Sequence, residues 1–152
     1  MNAAGASAGT RAATRTFAVA SPGDLAAVLA LVDQACVGAD GETAFAVRLA
    51  AEEVFTNILA HGYGGQGGWV AVAIGRAAGE LRLVLCDEAA VFDPACAPAP
   101  PAPGTTLDER EPGGLGWHLV HQLMDEVLHV PRQPRGNTYT LVKRLPATTP
   151  AD

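Results

Sequence analysis

The stretch Glu42 to Gly62, ETAFAVRLAAEEVFTNILAHG, decides how the rest of the chain is read. Phe45, Leu49, Val54 and Ile58 recur at helical spacing and predict a helix from about Glu42 to Ala60. Gly62 stands where a helix end needs a left-handed residue. Glu53, Asn57 and His61 are spaced i, i+4, i+8 and share one face of that helix, whereas Glu52 lies about 100° away. A carboxylate there can take a proton from an attacking hydroxyl or water, and an amide oxygen can ligate a hard cation such as Mg²⁺. A solvated polar face has the same pattern, and a histidine in a last helical turn is favoured by the helix dipole without any function.

Upstream, Arg15 to Ala20 alternates weakly as an edge strand would, and Ser21-Pro22-Gly23-Asp24 opens a helix carrying Leu25, Val28, Leu29 and Val32 that fades near Gly38. Downstream, Gly64 to Gly68 is a turn, and Trp69 to Arg76 and Leu81 to Cys86 are two strands joined by a short Ala-Gly turn. Pro94 to Pro112 holds six prolines and few large apolar residues, so a lid over about 94–113 is expected rather than a packed element. Gly113 to Gly116 opens a third helix through about Met124, and Val127 to Pro131 and Asn137 to Leu145 form a last strand pair turned at Arg135-Gly136. This order predicts an α+β fold: a two-layer sandwich with helices on one face of a mostly antiparallel mixed sheet, and a crevice between the layers. One domain over 15–145 is expected, with a flexible tail at 1–14 and a polar tail at 146–152.

Hydrophobic residues make up 49% of the 152-residue chain, enough for a core, and the net charge is −6. No basic stripe argues for nucleic acid, and no apolar run approaches the roughly 18 residues of a membrane span. Met1 to Thr14 lacks the apolar centre of a secretion signal. The cysteines Cys36, Cys86 and Cys96 are odd in number and widely spaced, which fits a reducing cytoplasm better than disulfides or zinc.

Three further positions can carry chemistry. Asp87 ends the apolar run Leu81 to Cys86, and a carboxylate buried there needs donors, an adenine amino group being one; a loop-capping aspartate is the plainer alternative. Gly114 and Gly116 precede a helix, where glycine lets backbone N–H groups approach an anion. Thr138 and Thr140 share one face of the last strand, and threonine is common in strands.

Together these segments resemble a known family. EEVFTNILAHGY (52–63) resembles the N box of the GHKL ATPases and kinases, DEAAVFDP (87–94) the G1 box, GGLGWHLVHQLMDEV (113–127) the G2 region and GNTYTLVKRL (136–145) the closing strand. The order and intervals agree over roughly Arg15 to Leu145, and the subgroup most similar is the stand-alone anti-sigma factor and serine-protein kinase group of partner-switching systems. The resemblance implies a Bergerat ATP-binding fold using ATP and Mg²⁺. It implies Glu53 as the general base toward a protein serine, Asn57 as the Mg²⁺ ligand and Asp87 as the carboxylate recognising the adenine amino group. It places Gly114 and Gly116 at the lid end near the phosphates, Thr138 near the adenine and His61 at a family-typical position in the site. The implied partners are a STAS-type anti-anti-sigma antagonist, a sigma factor and a second copy of the chain. The G1 box usually carries glycines where this chain has Ala89 and Val91, and a nucleotide-binding module that regulates by sequestering its partner is the alternative. The catalytic domain of a sensor histidine kinase is disfavoured, because the short polar N-terminal stretch leaves no room for a phosphoacceptor hairpin.

Overall fold

The computed structural model describes residues 12–93 and 116–147. The expected lid, Gly114, Cys96 and most of both tails lie outside the described residues. The elements in chain order are β1 (Ala13–Phe17), α1 (Leu25–Ala35), α2 (Gly41–Asn57), β2 (Val70–Ala77), β3 (Glu80–Asp87), α3 (Gly116–Leu123), β4 (Glu126–Pro131) and β5 (Asn137–Arg144). A 3-10 turn (Pro22–Asp24) leads into α1, and a π turn (Ile58–Gly62) follows α2. The five strands form one sheet in the order β1-β2-β3-β5-β4, with each neighbouring pair antiparallel. This is the expected α+β fold.

Local chemistry sets the boundaries. Ser21 N–H donates to the Asp24 carboxylate at 2.8 Å ahead of α1, and Asp40 caps α2 by accepting from Thr43 N–H at 2.8 Å. The β2–β3 turn is Ala78-Gly79, both at positive φ (50° and 76°), the primed geometry that matches strand twist. β1 begins two residues earlier than its sequence suggested and ends at Phe17, after which Ala20 N–H bonds the Gly68 carbonyl.

The register divides the sheet into two faces. Val70, Val72 and Ile74 pair with Asp87, Leu85 and Leu83, which pair in turn with Asn137, Tyr139 and Leu141. This row is buried beneath Val28 and Val32 of α1, Val47, Ala50, Val54 and Phe55 of α2, and Val120 of α3. Phe45, expected on the apolar stripe of α2, is 62% exposed; the buried stripe runs instead through Thr43, Val47, Ala50, Ala51 and Val54. Ala46, Ala50 and Ala51 are buried on the covered side of α2, and Phe45 lies off that side.

Candidate active site

The candidate residues lie on α2, at the start of α3, at the end of β3 and at the start of β5. Glu53 and Asn57 both lie inside α2, one turn apart, and both are half-buried. Burial first, and the neighbouring Glu52 charge second, push the Glu53 carboxyl above the usual glutamate range. α3 begins directly against it: a Cβ on Gly116 would fall 2.5 Å from Glu53 Oε2. A side chain at Gly116 would therefore push the Glu53 carboxylate out of its present position.

His61, the expected third member of the stripe, lies beyond the α-helical span, in the π turn. After Asn57 the backbone widens to π spacing, with Tyr63 N–H bonding the Ile58 carbonyl at 2.9 Å. His61 is exposed there, whereas Glu53 and Asn57 are half-buried. Gly62 does not take the left-handed conformation expected of it; Gly64 (φ 60°) and Gly65 (φ 79°) do, and Gly65 N–H caps the Leu59 carbonyl. Gly62 answers to packing, since a Cβ there would meet the Ala89 methyl at 3.0 Å.

Asp87 is the last residue of β3 and is 1% exposed. Its Oδ1 accepts from Ala89 N–H and from Asn137 Nδ2, each at 2.9 Å. Its Oδ2 is buried, and among the described residues nothing hydrogen-bonds it. Burial raises the Asp87 pKa more than the bonds from Asn137 and Ala89 lower it. A buried acceptor left without a partner is a place for a ligand donor. Arg132 reaches the Asp87 carbonyl at 3.1 Å and stacks its guanidinium over Trp69. Tyr63 accepts from Glu88 N–H at 2.9 Å and donates to the Trp69 carbonyl, pinning the chain that leaves β3. The Ala89 methyl is fully buried over Gly62, and Val91 is exposed.

Thr138 does not face this site. It pairs with Cys86, whose Sγ lies 3.6 Å from its hydroxyl, on the sheet face away from the helices. The residue of β5 beside Asp87 is Asn137, which the sequence reading passed over. Phe92, His129, Tyr139 and Trp117 were also missed; they form one aromatic cluster next to Asn137, with Phe92 to Trp117 centroids at 5.1 Å and Phe92 to His129 at 5.6 Å. The signal for Asn137 is strand alternation: apolar Tyr139 and Leu141 belong to the core, so Asn137 shares their face and Thr138 cannot.

A family model, the histidine kinase-like ATPase domain, matches residues 18–143. The serine/threonine-protein kinase BtrW of Bordetella bronchiseptica is 31% identical over 98 residues, covering 64% of this chain and 68% of that protein. The serine-protein kinases RsbW of Bacillus velezensis and Bacillus subtilis are each 33% identical over 85 residues, and the match spans about half of each of them (53%). A family model that fits from just after β1 into β5, together with kinase relatives, makes this chain a member of the histidine kinase-like ATPase domain family, in the GHKL group that its motifs resemble.

Proposed function

We propose that the chain is an ATP-dependent serine-protein kinase and anti-sigma factor of a bacterial partner-switching system, acting in the cytoplasm on a STAS-type anti-anti-sigma antagonist. The observation that carries this reading is the buried, unpartnered Oδ2 of Asp87, an acceptor suited to the 6-amino group of adenine. Glu53 takes the proton of the attacking serine hydroxyl; its raised pKa makes it a stronger base than an exposed glutamate. Asn57 offers an amide oxygen to Mg²⁺, which at a nucleotide uses one or two protein ligands with phosphate and water, so a single amide suits it. Mg²⁺ and ATP, when bound, supply the phosphoryl group and neutralise its charge. The Gly116 N–H, in the first turn of α3, is a donor for the phosphate oxygens, and Gly114 belongs to the same phosphate-binding stretch in this reading. Phosphorylation of the antagonist adds a charge of about −2 to a packed surface, which favours its release and frees the kinase for a sigma factor. The kinase works as a homodimer.

The test is transfer of labelled phosphate from ATP to the cognate antagonist. Wild type is expected to label it, and Glu53→Ala to lose roughly a hundredfold or more in rate. Equal labelling by the two proteins overturns the role of Glu53. A second reading, a nucleotide-binding module without useful catalysis, draws support from Ala89, whose N–H and methyl hold the G1 segment against Asp87 and Gly62. Tight antagonist binding with no label from wild type favours that reading.

A further inference from the structure

Asn137 is 1% exposed and every hydrogen-bonding valence of its side chain is used. Nδ2 donates to Asp87 Oδ1 at 2.9 Å and to the Ala90 carbonyl at 3.0 Å. Oδ1 accepts from Phe92 N–H at 2.8 Å and meets His129 Nε2 at 2.7 Å. The Phe92 amide can only donate and the Ala90 carbonyl can only accept, so the amide orientation is fixed, and His129 carries a proton on Nε2. One side chain thus ties the end of β3, the segment after it and the edge strand β4 to each other.

The consequence falls on Asp87. The terminal torsion of an aspartate is soft, and a free carboxylate turns to offer either oxygen. Here Oδ1 is held by Asn137 and Ala89, so Oδ2 alone is presented. We propose that Asn137 is a positioning residue that sets base selectivity, by fixing Asp87 as a single ionised acceptor that takes a 6-amino purine and rejects a 6-oxo purine. This deepens the ATP reading and rests on it. The bond from Asn137 also opposes the burial that favours a protonated Asp87. A protonated carboxyl would donate to the 6-oxo group and erase the distinction.

The experiment is equilibrium binding of ATP and inosine triphosphate, which differ at position 6, to wild type, Asn137→Leu and Asn137→Asp. Wild type is expected to prefer ATP by roughly a hundredfold. Asn137→Leu is expected to cut that ratio below about tenfold, a change that general destabilisation does not produce because it lowers both affinities together. Asn137→Asp changes one group and serves where the leucine variant fails to fold. The introduced carboxyl faces two acceptors, Asp87 Oδ1 and the Ala90 carbonyl, and must hold a proton to stay. His129, Arg132, Tyr63 and Tyr139 surround the pair in wild type and variant alike, so the wild-type pH profile is the control. ATP affinity of Asn137→Asp is expected to match wild type at low pH and to fall as pH rises and the two anions repel. A leucine variant that keeps the wild-type ratio, or an aspartate variant with the wild-type profile, overturns the role of Asn137 alone. A wild type that binds neither triphosphate overturns the ATP reading beneath it.

Discussion

At Asp87 two effects oppose each other: burial raises the carboxyl pKa, and hydrogen bonds from Asn137 and Ala89 lower it, with burial the larger. A folded pKa above the unfolded one means that the native state binds more protons between the two values. Stability is therefore greatest below the ordinary aspartate range and falls as pH rises through the raised Asp87 value. Asp87→Asn is expected to remove that part of the slope and to melt no lower than wild type at neutral pH; melting curves across the acidic range check it, and a clearly less stable variant counts against it. Gly116→Ala makes the matching point for Glu53. Its new Cβ displaces the flexible end of Glu53, so stability is expected to change by less than about 1 kcal/mol while transfer falls roughly a hundredfold. Denaturant melts and labelled transfer measured together decide this, and unchanged transfer contradicts the placement of Glu53. The helix-borne polar members of the site were legible because Glu53 and Asn57 fall at a spacing that geometry converts directly into a shared face. Asn137 was not, because threonines on the strand drew attention to their chemistry before the face they occupy was settled.

Elements carry information that single spacings do not. The start of α2 was legible to one residue, with Asp40 and Thr43 supplying the cap. Its end was not: apolar residues continue through Ile58 and Leu59, and nothing in their spacing marks where four residues per hydrogen bond become five. The π turn brings Gly62 against Ala89, so the substituted G1 position and the turn after the N box are coupled. Gly62→Ala is expected to cost about 1–2 kcal/mol in wild type and close to nothing in an Ala89→Gly background. Denaturant unfolding of the four proteins of that cycle measures the coupling, and additive effects contradict it.

For the whole molecule, the architecture followed from the order of elements, since two tight strand pairs and three helices with one apolar side leave few ways to bury a core. The β2–β3 and β4–β5 hairpins are local, and the β3–β5 pairing that joins them follows from their need to share one covered face. Leu83, central and fully buried, is expected to cost roughly 2–5 kcal/mol when replaced by alanine, while the exposed Leu128 on the other face costs less than about 0.5 kcal/mol when replaced by serine. Equal losses in denaturant unfolding would contradict the assignment of the two faces. Among the described residues no helix is long and apolar enough to cross a membrane. In the proposed function the fold serves to bring one helix edge, with its acid and its amide, to the same nucleotide as the strand-end Asp87.

Calorimetric titration with ATP in the presence of Mg²⁺, on wild type and Asp87→Asn side by side, reaches that arrangement most directly. Saturable binding by wild type and a loss of about a hundredfold in the variant are expected, because the substituted amide turns a donor toward the adenine amino group. Equal affinity in a folded variant, or no binding by wild type, would contradict a nucleotide seated on Asp87.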